Sequence, residues 1–283
     1  MAYGTCKLTG TQGTLVKCHL LPKALTCPPD RGEVRVEGGE GRLPVARYDS
    51  WFDKSIVTRK GEDIFEKLDD FAIKELRRHK LVWSSWGRDE VTCPVPNDDT
   101  TKWGGVRFIS FSDPARLRLF CLSLLWRAAV TKLPGFSTIT LSDDRRDLIR
   151  DMLLSENAAP IHCFPINLIQ LTTRGGWHNQ SPIKQFLDLK EFEAPTKIGV
   201  YRFYFDGLVI RINDELDDPV PDRHKGIGLG EATPQVVLTV PYEGSFQDGL
   251  ISQHILEAAR DDRKASMVER IFASGRRTQG KLA

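Results

Sequence analysis

Apolar residues along this chain change period several times, and each change predicts an element. Between Gly61 and Lys80, six apolar residues recur at helical spacing: Ile64, Phe65, Leu68, Phe71, Ala72 and Leu76. Glu66, Lys67, Lys74 and Arg78 fill positions between them. Only a helix gathers those apolar residues on one side, so the spacing predicts an amphipathic helix over 62–79. Asp113 followed by Pro114 opens a second helix, because Asp suits the N-cap and Pro the first helical position. Over 117–130 apolar residues fall on nearly every side, which predicts a central helix, 113–130, buried all round. Ser142 caps a third helix over 143–155, with acids first and Arg150 late, as the helix dipole prefers.

Strand patterns flank these helices. Short apolar runs at 6–8 and 15–16 surround Gly10 and Gly13, predicting a hairpin over 5–18. The Pro- and Gly-rich stretch 27–41 reads as a loop or an exposed ribbon. Residues 51–57 and 81–86 read as short strands, and 93–105 as a polar link. Beyond residue 160 the pattern turns to β at 161–171, 198–205, 208–212 and 236–240. Asp206-Gly207 between two of these runs is a hairpin turn. From Ile251 the chain reads first as helix, then as a polar, basic tail from Arg260 to Ala283. A change of composition falls near residue 80. The expected fold class is α+β: a ββα module over 1–80 packed on a larger α+β domain over 81–283.

Composition narrows the function classes. The chain has 283 residues, 40% hydrophobic and 28% charged, which is ordinary globular composition. A net charge of +2 and a pI near 8.2 mean that any surface for nucleic acid has to be a local patch. The start, Met1 to Gly10, has no basic segment followed by an apolar one, so no export signal is expected. Arg118 and Arg127 interrupt the longest apolar run, so no membrane span is expected either. A cytoplasmic location and reduced thiols follow for the six cysteines, Cys6, Cys18, Cys27, Cys93, Cys121 and Cys163.

Chemistry concentrates near the N-terminus. Cys6-Lys7-Leu8-Thr9-Gly10 is followed by Lys17-Cys18-His19-Leu20-Leu21-Pro22. Then come Arg47-Tyr48-Asp49-Ser50-Trp51-Phe52-Asp53 and Val57-Thr58-Arg59-Lys60-Gly61-Glu62-Asp63. This ordered pattern resembles the HNH, or ββα-metal, endonuclease superfamily. The similar subgroup is bacterial, with a Cys-x-x-Cys knuckle, a Ser-His-x-x-Pro segment and a second Cys-x-x-Cys before a helix. Phe108 to Arg127 is also similar to the region that follows the module in those proteins, where no activity is transferred. Thr9, Thr58 and Gly61 stand where the subgroup has cysteines, and only Cys6 remains. One thiolate cannot hold a tetrahedral site, so no structural zinc is expected.

The resemblance implies hydrolysis of nucleic-acid phosphodiester bonds with a divalent metal such as Mg²⁺ or Mn²⁺. His19 is then the general base, and Asp49, Asp53 and Glu62 are the oxygen ligands such an ion prefers. Cys18, at a ligand position, suits Mg²⁺ poorly. Arg47 and Arg59 are placed for phosphate oxygens. Arg77 and Arg78, near Trp83 and Trp86, suit a nucleic-acid patch with stacking aromatics, or simply a solvated helix end. Glu62-Asp63 and Asp69-Asp70 also read as a dipole complement and a solvated face. The alternative to an enzyme is a catalytically decayed scaffold that binds nucleic acid or a protein partner. The family is largely bacterial and often serves phage defence. Gly226, Gly228 and Gly230 have a dinucleotide-like spacing but lack the strand and helix that motif needs, so loop is the reading. Arg174 to His178 reads as a loop, and His162 and Cys163 as core.

Overall fold

The computed structural model describes residues 2–26, 35–39, 42–47, 50–87, 95–96, 104–175, 178–189, 196–217 and 222–259. In chain order the first elements are β1 (Tyr3–Thr5), β2 (Gln12–Thr14), β3 (Cys18–His19) and α1 (Lys23–Thr26). β4 (Arg35–Gly39), β5 (Arg42–Arg47), β6 (Phe52–Asp53) and α2 (Arg59–Arg78) follow. Next are β7 (Val95–Pro96), β8 (Gly105–Ile109), α3 (Pro114–Val130) and α4 (Asp143–Leu154). The remainder is β9 (Ile166–Leu171), β10 (His178–Leu189), β11 (Thr196–Phe205), β12 (Leu208–Asn213), β13 (Gln235–Val240) and α5 (Phe246–Ala259). The fold is α+β.

Nine strands form one mixed sheet in the order β5-β4-β10-β11-β12-β9-β13-β8-β7. β4 with β10 and β9 with β13 run parallel, and the other neighbours are antiparallel. Alternation gives the sheet two faces. Tyr201, Phe203 and Phe205 of β11, with Ile210 and Ile212 of β12, share one core cluster with Leu117, Phe120 and Leu124 of α3. Tyr204, Val209 and Leu171 point the other way and join Trp83, Trp86, Tyr242 and Ile251 in a second, smaller cluster.

α3 is the axis of the main core, as its all-round apolar pattern predicts. Asp113 Oδ1 accepts the Arg116 amide at 2.9 Å, which caps its first turn. α2 packs on it through the predicted stripe, with Phe65 and Trp126 rings 5.8 Å apart. Leu8, Phe65 and Leu76 belong to the same cluster as Leu117 and Ile210, so the core continues across residue 80.

Several expectations shift. The segment read as loop or ribbon contributes β4 and β5, which extend the large sheet at its edge. Residues 51–57 supply only the two-residue β6, and 81–86 form a 3₁₀ turn at Trp83–Ser85 rather than a strand. Trp83 packs on Gly207, where a Cβ would come within 2.3 Å of its indole. β10 escaped the sequence pattern because its register slips between Gln180 and Ile183, around Pro182, which breaks the alternation. Asp206 and Gly207 have φ of +53° and +81°, as an Asp-Gly hairpin turn requires. The glycines at 226, 228 and 230 lie in turns. Cys163 is buried as expected, whereas His162 is partly exposed. Among the described residues no helix is long and apolar enough to cross a membrane. Asp49, Cys27, Cys93, Trp177 and the tail from Arg260 lie outside the described residues.

Candidate functional site

β3 pairs with β6 so that Cys18 faces Asp53 and His19 faces Phe52. Beneath this ladder three elements bring charge together. Glu62 and Asp69, two turns apart on α2, share one face of the helix. From α3 comes Arg127, which has no exposed surface. Its guanidinium grips Asp69 through both carboxylate oxygens at 2.8 and 3.0 Å. It also donates to the His19 carbonyl at 2.8 Å and to Ser123 Oγ at 3.1 Å. A buried charge needs such a full set of partners.

Burial dominates the electrostatics of this cluster. It pushes the Cys18 thiol far above the ordinary range, and the nearby Glu62 carboxyl adds to that rise. Burial likewise raises Glu62 above the usual carboxylate value, against the pull of Cys18 and Arg127. Glu62 Oε2 is buried without a hydrogen-bond partner among the described residues. At Asp69 burial raises the pKa, while the Arg127 guanidinium and the nearby His19 oppose the rise. Asp69 is therefore no solvated helix face: it anchors α2 to α3.

Cys6, Thr9, Thr58 and Gly61 converge where the hairpin meets the start of α2. The Thr9 amide lies 3.5 Å from Cys6 Sγ. A Cβ on Gly61 would come 2.8 Å from that sulfur. Burial pushes the Cys6 thiol up, but hydrogen bonds from Thr9 and Thr58 outweigh it and leave the thiol below its ordinary value. The hairpin is thus joined to the start of α2 by direct contact.

Two of the expected metal ligands, Asp53 and Glu62, are each engaged by neighbouring side chains. Asp53 Oδ1 accepts the Ser55 amide and hydroxyl at 2.8 and 2.6 Å, and Oδ2 accepts the Thr131 hydroxyl at 2.6 Å. Its carboxylate is a loop staple. Glu62 is buried against a thiol and a guanidinium, and Asp49 lies outside the described residues. Among the described residues no group of three or more His, Cys, Asp or Glu side chains could hold a metal ion. The guanidinium of Arg127 already neutralises Asp69, the carboxylate that His19 influences electrostatically. As placed, Asp53 and Glu62 do not fit a divalent ion, because a hard cation needs several accessible oxygens and no fixed cation beside them.

The expected phosphate-binding arginines fare unevenly. Arg59 is paired with Asp63 at 2.6 Å and with Glu66. Arg77 donates to the Ala24 carbonyl at 3.0 Å, and Arg78 pairs with Glu75 at 3.4 Å. Trp83 and Trp86 are buried, so neither offers a face to a base. The side chain of Arg47, on β5, lies outside the described residues.

A basic face does form beside His19, from residues the sequence pattern did not single out. Lys17 Nζ lies 4.2 Å above the Phe52 ring centroid, and Lys54 Nζ lies 5.7 Å from it. His19 meets the same ring edge-on at 6.5 Å. Lys7 sits near Asp53, and Lys132 and Arg146 are close enough to depress its pKa after burial has done so. The chain matches no family model, no curated protein and no solved structure. Signals for this face were present: Lys17 and Lys54 flank, in sequence, the two strands that pair as β3 and β6. Only that pairing turns them into one surface.

Proposed function

We propose that this chain is an HNH-like ββα scaffold that binds nucleic acid without hydrolysing it, through the face around Phe52. The observation that carries the reading is the partly exposed Phe52 ring, flanked by Lys17 and Lys54 and edged by His19. An aromatic ring among cations suits a single strand, whose bases stack while its phosphates meet the ammonium groups. The convergence of Cys6, Thr9 and Gly61 supports the HNH-like origin of the module. Arg127, bonded to Asp69 and to the His19 carbonyl, disfavours the hydrolytic reading.

Fluorescence anisotropy with a labelled single-stranded oligonucleotide in EDTA tests the proposal. Binding should survive the chelator and weaken as salt rises. Phe52→Ala should weaken it by about tenfold, the scale of one lost base stack. Lys17→Glu combined with Lys54→Glu should weaken it further and flatten the salt dependence. Absence of binding at low salt would end this reading. The hydrolytic alternative keeps one supporting observation, the electrostatic proximity of His19 and Asp69. It predicts Mg²⁺- or Mn²⁺-stimulated cleavage that His19→Ala abolishes, and such cleavage would replace the binding reading.

A further inference from the structure

The face of the large sheet turned away from α3 carries a pair of cations in an unusual position. The β11–β12 register sets Arg202 directly opposite Arg211. Like charges at facing positions weaken a ladder, and burial weakens it again. A carboxylate between them would relieve both costs. Among the described residues neither arginine has one. Arg202 is only 8% exposed. Its Nη1 donates to Gln247 Oε1, a neutral partner, at 2.7 Å, and its guanidinium lies 4.6 Å from the Phe246 ring centroid. Arg211 has no hydrogen-bond or ion-pair partner among the described residues. Burial pushes the Arg202 pKa down to about 10, with Arg211 pushing the same way.

Asn167 of β9 faces Arg211, and the strip beyond it is apolar. Ile169, Val236 and Leu238 are half-buried on the same face, and Phe246 is 48% exposed. Phe246 and Gln247 form the first turn of α5, so the positive end of that helix also lies at Arg202. The nearest acid on that turn, Asp248, accepts the Gly244 amide at 2.9 Å.

We propose that Arg202 and Arg211 form a binding site for a phosphate-bearing small molecule on this outer sheet face. Two adjacent guanidinium groups offer more donors than a single carboxylate can accept. A tetrahedral phosphate with two negative charges matches both forks at once. The exposed Phe246 ring and the apolar strip beside the arginines suit a flat organic group attached to that phosphate. The site uses no residue of the Phe52 face and stands independently of nucleic-acid binding there.

Thermal unfolding of the full chain tests the assignment, with inorganic phosphate, pyrophosphate and AMP as probes against sodium chloride at equal ionic strength. Pyrophosphate or AMP should raise Tm with the logarithm of its concentration, by about 5 °C well above Kd, and Arg211→Gln should abolish the rise. Arg211 is only partly buried, so Arg211→Gln should fold, with an unliganded Tm equal to or above that of the parent because a like charge is gone. The proposal is overturned if no probe stabilises beyond the chloride control, or if Arg211→Gln responds as the parent does. A single-stranded oligonucleotide provides the second arm. If its affinity, and not that for AMP, falls in Arg211→Gln, the site reads nucleic-acid backbone and the small-molecule assignment fails.

Discussion

Arg118 and Arg127 are charged residues of α3, yet both are buried. Arg118 donates to the carbonyls of Ala158, Phe164, Pro160 and Cys163, and so ties down the loop before β9. Arg127 ties α3 to α2 through Asp69 and to β3 through the His19 carbonyl. Arg127→Met should therefore cost about 3–5 kcal/mol, because Asp69 is left charged and buried. Adding Asp69→Asn should recover part of that loss. Urea unfolding of the two single variants and the double variant measures the coupling, and strict additivity would contradict the pairing. Glu62 makes the opposite kind of prediction. Its folded pKa is raised above the ordinary 4.5, so the native state binds a proton more tightly than the unfolded chain does. Its contribution to stability is full below that value and declines as pH rises through the folded pKa. Glu62→Gln should raise Tm at pH 7 to 8 and leave it unchanged near pH 3.5. A Tm gain that is the same at both pH values would refute the buried-carboxylate account.

Among the elements, helices proved more legible than strands, and for a local reason. The helical stripe from Ile64 to Leu76 and the Asp113-Pro114 start each lie within a few residues of one another, so spacing alone reveals them. α2 begins at Arg59, three residues ahead of the expected start, because Thr58 already turns the chain there against the hairpin. Strands β4, β5 and β10 depend on partners far away in sequence, and their polar, Gly- and Pro-containing segments hide the alternation. At the junction of hairpin and α2, the structure makes a further prediction. Because Cys6, Thr9, Thr58 and Gly61 lie against one another, the combined substitutions Thr9→Cys, Thr58→Cys and Gly61→Cys should create a four-thiolate zinc site. Val57 must give slightly, since a Cβ on Gly61 meets its Cβ at 3.0 Å. Metal analysis should find one zinc per chain and a Tm that falls on chelation, whereas the parent should bind none. Failure of the triple variant to retain zinc would show that the four positions do not converge tetrahedrally.

At the scale of the whole molecule, one continuous core makes the parts depend on each other. Leu8, Phe65 and Leu76 pack in the same cluster as Leu117 and Ile210, and β4 pairs with β10 across more than a hundred residues. The intact chain should unfold in a single cooperative transition by circular dichroism. Fragments 1–80 and 81–283 made separately should each lack a cooperative transition, since each leaves half of that interface in water. A sharp transition in either fragment would establish it as a domain of its own. Patterning alone determined the α+β class, the two long helices and the Asp206-Gly207 hairpin, because those properties are written in neighbouring residues. Tertiary structure alone decided that Arg127 would meet Asp69, that Asp53 would staple a loop, and that Lys17, Phe52 and Lys54 would share a surface. It also decided that Arg202 and Arg211 would face each other. Charges have no period of their own: what each one does is set by the partners that folding brings to it.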